Sequence, residues 1–135
     1  MGEPLSYPLR VRYAECDMQG VVFNANYLAY FDVSMTELWR AAFGGYEAML
    51  DRGVDLVVVD ARLSFRFSAR FDDELTMEIA VARFGTTSIA TRHRVLRDGE
   101  VLVEGAMAHV FVTREDLAKT PIPAWARDGL APWAI

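Results

Sequence analysis

The chain has 135 residues, 53% hydrophobic and 24% charged, a balance that supports a folded core and excludes a disordered chain. Its net charge of −5 excludes broad nucleic-acid binding, which needs a basic face, and no apolar run approaches the ~20 residues that span a bilayer. There is no basic-then-apolar leader, and a lone cysteine, Cys16, suits a reducing compartment, so the expectation is a cytoplasmic protein of one domain over residues 1–135.

Residues 7–15 alternate and predict a first strand. Asn24, Ala25 and Asn26 then open a helix. Its apolar stripe, Tyr27, Phe31, Met35, Leu38 and Ala42, recurs every three to four residues, and Leu28, Trp39 and Phe43 widen it. Gly44 and Gly45 stop the helix, and a short second one is expected over 46–51. A strand begins at Leu56. Over 62–71 the alternation places Leu63, Phe65, Phe67, Ala69 and Phe71 inward, with Arg62, Ser64, Arg66, Ser68 and Arg70 outward. After a polar break at 71–74, Leu75, Met77, Ile79 and Val81 mark another strand. Residues 85–87 form a turn, 88–97 a further strand, and Asp98 with Gly99 suits a type I′ hairpin into a long strand over 101–113. The tail, 115–135, carries three prolines and reads as turns with a short helix. One long helix followed by an antiparallel meander is an α+β pattern, the sheet wrapped around the helix.

Chemistry concentrates in residues 10–40. Asp17 sits in a loop ahead of Gly20 and an apolar step, Val21, Val22 and Phe23, that runs into the helix start. Free N–H groups and the dipole at a helix N-terminus favour negative charge. A carboxylate beside such an oxyanion site suits hydrolysis of an activated acyl group. The same residues also make an ordinary turn, with Asp bonding nearby amides and Gly permitting the exit. Asn24 has two readings as well: its amide orients water or substrate, or it caps the helix. His93 and His109 lack metal-ligand spacing and read as sheet residues, so no metal and no cofactor are expected. Cys16 has no histidine nearby in sequence and reads as packing.

The run from Tyr13 through Glu15, Cys16 and Asp17 to Gly20, Val21, Val22, Phe23, Asn26 and Tyr27 resembles the hotdog-fold acyl-CoA thioesterases of the 4-hydroxybenzoyl-CoA thioesterase type. Phe31, Thr36 with Glu37, residues 69–73 and residues 85–88 extend the similarity from about Leu5 to Pro123. The resemblance implies a hotdog fold, a five-stranded antiparallel sheet around a long central helix. It also implies hydrolysis of an acyl-CoA to a free acid and coenzyme A. Asp17 would be the nucleophile or general base, with backbone N–H groups near Asn24 and Ala25 holding the oxyanion. Gly20, Val22, Phe23 and Tyr27 would receive the acyl end.

Coenzyme A carries phosphates, for which Arg83, Thr86, Thr87 and Ser88 are the candidate contacts, supported by Arg92, Arg94 and Arg97. In relatives the nucleotide lies near this turn, often on a neighbouring subunit. An open sheet edge predicts a homodimer at minimum, or a homotetramer, and in the family the active site lies at the dimer interface. Two departures stand out. Asn24 replaces a histidine common among relatives, and Met35 stands where arginine often precedes the Thr-Glu pair. Glu37 is the alternative acid. A thioesterase acting on acyl-carrier protein and a non-catalytic acyl-CoA-binding dimer are the alternative functions.

Overall fold

A computed structural model describes residues 2–135. Five strands, β1 (Leu5–Arg10), β2 (Val54–Phe65), β3 (Glu74–Phe84), β4 (Ser88–Arg97) and β5 (Glu100–Thr113), form one sheet in the order β1-β3-β4-β5-β2. Every neighbouring pair is antiparallel. Helix α1 (Ala25–Phe43) lies across the concave face. Helices α2 (Tyr46–Leu50) and α3 (Ala124–Leu130) close the end where α1 stops. This is the hotdog arrangement of the α+β class that the resemblance implies.

Helix α1 ends as expected. Gly44 takes the left-handed conformation at φ 86°, and its N–H donates to the Arg40 carbonyl. Tyr27, Tyr30, Phe31, Met35, Leu38 and Trp39 are buried against the sheet; a fully buried ring such as Phe31 contributes ~2–3 kcal/mol. Leu28, expected to widen the buried stripe, is exposed instead, because it falls on the flank that turns away from β3–β5. Close approach of helix to sheet depends on Gly105 of β5. A Cβ there would lie 2.3 Å from the Arg62 carbonyl oxygen and 2.6 Å from Cε2 of Phe31. The β4–β5 hairpin is the expected one, with positive φ at both Asp98 and Gly99.

Two segments differ from their expected form. Strand β1 occupies Leu5–Arg10 rather than 7–15, because Arg12 and Glu15 bond locally and turn residues 13–15 into a 3-10 helix. Strand β2 is continuous from Val54 and ends at Phe65, so the alternation over 66–71 is not strand. The Arg66 and Phe67 N–H groups both reach the Leu102 carbonyl, at 2.8 and 3.1 Å, which breaks the ladder. Phe65, Phe67 and Phe71, expected in the core, are 54%, 55% and 54% exposed. Only Ala69 of that expected face is buried together with the half-buried Leu63. β2 is an edge strand, and Val57, Val58 and Val59 are exposed along it.

Candidate active site

The Asp17 loop is held from both sides. The Asp17 N–H donates to the Val21 carbonyl (2.9 Å), and the Gly20 N–H donates back to the Asp17 carbonyl (3.0 Å). Gly20 sits at φ 79°, a conformation that favours glycine. The Asp17 Oδ1 accepts the Gln19 N–H at 2.8 Å, so the turn reading of this aspartate is true of one oxygen. Beyond the turn, the Val22 N–H donates to the Ala69 carbonyl (2.9 Å). The Ala69 N–H in turn donates to the Tyr27 hydroxyl at 3.1 Å. The apolar step is thereby clamped to the irregular 66–73 segment, and α1 to both.

At the helix start the hydrogen-bond accounting leaves a gap. Phe23 N–H donates to the Glu15 carbonyl, Asn26 N–H to the Phe23 carbonyl, and Tyr27 N–H to the Asn24 carbonyl, all at 2.8–3.2 Å. Among the described residues, the Asn24 and Ala25 backbone N–H groups have no backbone acceptor. Free donors in the first turn of a helix are ready for an anionic oxygen. Asn24 itself is already helical (φ −54°, ψ −37°), and its side chain makes no capping bond. The capping reading of Asn24 is therefore set aside, and the residue lines the cleft.

That cleft has a volume of about 320 Å³. Asp17, Val22, Phe23, Asn24 and Tyr27 form one wall, and residues 65–68 form the other. Tyr27 and Phe65 meet edge to face with ring centroids 5.7 Å apart. Desolvation raises the Tyr27 pKa, so its hydroxyl stays neutral at physiological pH. Cys16 packs behind the loop, its Sγ 3.8 Å from the Arg12 carbonyl. Desolvation and the carboxylates of Glu15, Asp17 and Asp73 push its thiol up, away from thiolate chemistry. The site thus combines a half-buried carboxylate, two unpaired amides and an aromatic wall.

The expected phosphate contacts lie elsewhere. Arg83, Thr86, Thr87 and Ser88 surround the β3–β4 turn, at the far end of β4 from the cleft. Ten residues of β4 separate the two ends by ~30 Å at about 3.3 Å per residue. The turn is braced from within and from the tail: Gly85 N–H donates to the Ser88 carbonyl (2.7 Å), and the Thr86 and Thr87 carbonyls accept from Ile122 and Phe111. Arg94 and Arg97 carry carboxylate partners, Glu78 at 3.1 Å and Asp73 at 2.8 Å. Arg83 and Arg92 are exposed and, among the described residues, have no ion pair. His93 and His109 are buried beneath α1, away from the cleft. Glu37 is engaged by Arg40 on the helix flank.

Sequence reasoning missed the second wall. Phe65, Arg66, Phe67 and Ser68 continue the alternation of β2, and a period of two carries no sign that the strand has ended. It also missed Glu15, whose carboxylate accepts from Arg12 and Tyr30.

Residues 11–130 match the model of the thioesterase-like superfamily. The Escherichia coli O6:H1 acyl-CoA thioester hydrolase YbgC is 30% identical over 104 residues, covering 72% of this chain and 78% of that protein. The 4-hydroxybenzoyl-CoA thioesterase of Pseudomonas sp. (strain CBS-3) is 26% identical over 140 residues, covering 92% and 95%. A solved Thermus thermophilus protein, TT1821, superposes with a TM-score of 0.85 at 31% identity, covering 95% of this chain and 98% of that one.

Proposed function

We propose that this chain, which belongs to the thioesterase-like superfamily, hydrolyses acyl-CoA thioesters in the cytoplasm with Asp17 as its reactive carboxylate. The observation that carries this is that Asp17 and Asn24 line one cleft at the start of a helix whose first N–H groups, those of Asn24 and Ala25, have no backbone acceptor among the described residues. The thioester carbonyl oxygen takes the place of the missing acceptor. As the carbon becomes tetrahedral, charge grows on that oxygen, and the two amides with the α1 dipole stabilise it. One such donor typically contributes ~3 kcal/mol to the transition state. Asp17 acts in one of two ways. It adds its carboxylate to the carbonyl and forms an anhydride that water opens, or it takes a proton from water as the water adds. In the first, the C–S bond breaks as the anhydride forms and the sulfur leaves as a thiolate; water then adds to the acyl carbon, frees the Asp17 carboxylate and supplies the thiol proton. In the second, the proton that Asp17 takes from water passes to the sulfur as the C–S bond breaks.

The separation of cleft and basic turn supports a homodimer as the working unit. β2 runs from the turn end at Val54 to the cleft end at Phe65. Two β2 edges pairing antiparallel place the partner's turn end beside this cleft. The Arg83, Thr86, Thr87 and Ser88 cluster of one protomer then serves the nucleotide of a thioester bound at the other's Asp17. Pairing also covers the exposed Val57, Val58, Val59 and Phe65.

Steady-state thiol release from short, medium and aromatic acyl-CoAs, run beside acyl-pantetheine and acyl-carrier protein, tests the proposal. Turnover with acyl-CoA, and a higher KM for acyl-pantetheine, is expected. Turnover confined to the carrier protein reassigns the substrate, and binding of acyl-CoA without turnover makes the protein a non-catalytic binder.

A further inference from the structure

Glu15 lies two residues before Asp17 and bonds both the segment that enters α1 and α1 itself. Its backbone carbonyl accepts the Phe23 N–H at 2.9 Å and the Asn26 Nδ2 at 2.8 Å. The carboxylate accepts the Arg12 N–H (2.7 Å) and the Tyr30 hydroxyl (3.0 Å) on Oε1. On Oε2 it accepts Arg12 Nη2 (2.7 Å) and Nε (3.1 Å). One residue therefore binds α1 at two successive turns, Asn26 and Tyr30, and ties both to the loop that carries Asp17.

The Phe23 N–H is held by the Glu15 carbonyl, and the next two N–H groups, those of Asn24 and Ala25, are the unpaired donors of the helix's first turn. Glu15 thus links the segment two residues before Asp17 to the helix that carries those donors. Tyr30 is 2% exposed, and the Glu15 carboxylate is the side-chain partner of its hydroxyl, so removing the carboxylate takes away that hydrogen bond. Desolvation raises the Glu15 pKa, but the bonds from Arg12 and Tyr30 outweigh it and hold the carboxyl below the usual range. Glu15 stays an anion, and with its oxygens committed it is not itself a proton carrier.

We infer that the Glu15 carboxylate is a positioning group for hydrolysis: through the Tyr30 hydroxyl it holds α1, and with it the two amide donors, in register with the loop that carries Asp17. The inference rests on the thioesterase reading above. A carboxylate with a purely structural role would change the amount of folded protein and leave the kcat of the folded fraction alone. A positioning role lowers kcat with little change in KM, because the substrate is bound but the reacting groups are misaligned.

The test measures kcat and KM with the preferred acyl-CoA, per folded protein and well below Tm, for wild type, Glu15→Ala, Glu15→Gln, Tyr30→Phe and Asp17→Asn/Glu15→Ala. Glu15→Ala is expected to lower kcat about 10²-fold with KM within about threefold. Glu15→Gln, which keeps an acceptor for Tyr30, restores kcat to within about tenfold of wild type. Tyr30→Phe, which removes one hydrogen bond and preserves the packed ring, lowers kcat about fivefold even if Glu15→Ala fails to fold. In an Asp17→Asn background, Glu15→Ala adds less than a threefold further loss, because its target is already gone. Wild-type kcat in folded Glu15→Ala, or in Tyr30→Phe where the former does not fold, overturns the inference and leaves the thioesterase reading intact. Full additivity in the double variant also overturns it. No turnover by wild type overturns both.

Discussion

The buried histidines make stability depend on pH in a way that can be worked from the structure. His93 on β4 is fully buried, stacked on Phe31 with centroids 4.4 Å apart, and its Nε2 lies 2.9 Å from the Thr91 hydroxyl. Its Nδ1 has no hydrogen-bond partner among the described residues. Desolvation, and then the neighbouring His109 on β5, push the His93 pKa from 6.5 down to about 3. His109 is lowered too, by burial, with Asp32 of α1 opposing. At pH 7.5 both folded and unfolded chains hold His93 neutral, and no penalty exists. Below 6.5 the unfolded chain takes the proton and the folded one does not, so stability falls steadily until about pH 3. At ~1.4 kcal/mol per pH unit the loss for His93 is about 2 kcal/mol at pH 5 and about 5 kcal/mol in full. For a chain of this size, about 2 kcal/mol corresponds to roughly 7 °C in Tm. Thermal denaturation at pH 7.5 and pH 5.0, for wild type and His93→Gln, isolates the effect, since carboxylates and His109 titrate in both. Wild type is expected to lose about 7 °C more than the variant across this interval. Equal losses, within about 1 °C, would refute the reasoning.

Gly105→Ala forces a Cβ against the Arg62 carbonyl and the Phe31 ring. It should cost ~1–3 kcal/mol, read as a Tm lower by roughly 4–10 °C, because the β2 backbone cannot yield as a side-chain tip would. Asn24→Ala should leave Tm within about 1 °C of wild type, in contrast to the ~1 kcal/mol lost when a true capping side chain is removed; differential scanning calorimetry reads the difference. Val58→Lys with Val59→Lys places two charges on the exposed β2 edge and should leave the protein monomeric by light scattering where the proposed β2 pairing makes wild type a dimer. The monomer should keep its fold by circular dichroism and lose acyl-CoA turnover.

Much of the fold is legible in the sequence because local signals agree with tertiary demand. The Tyr27, Phe31, Met35, Leu38 stripe, the Gly44 stop and the Asp98-Gly99 hairpin each have one physical solution, and the structure adopts it. Asp17 and the helix start are legible for the same reason: a turn, an apolar step and a helix N-terminus follow one another within ten residues. The second wall of the cleft is not. Phe65 and Phe67 keep the period of β2, but the ladder ends when Arg66 and Phe67 share one acceptor on β5, a tertiary event with no local signature. The Glu15 contacts depend on Tyr30, in the second turn of α1 and fifteen positions along the chain, a pairing that only the folded loop brings about. The distance between the cleft and the Arg83 turn is likewise a property of sheet order, and no sequence spacing announces it.

The most direct measurement compares thiol release from the preferred acyl-CoA by wild type and Asp17→Asn. The variant keeps the shape of the side chain and the Gln19 hydrogen bond while removing the charge. Wild type is expected to turn over, and the variant to show a kcat lower by about 10² or more with circular dichroism and Tm unchanged. Equal turnover by the two proteins would contradict it and remove Asp17 from the chemistry.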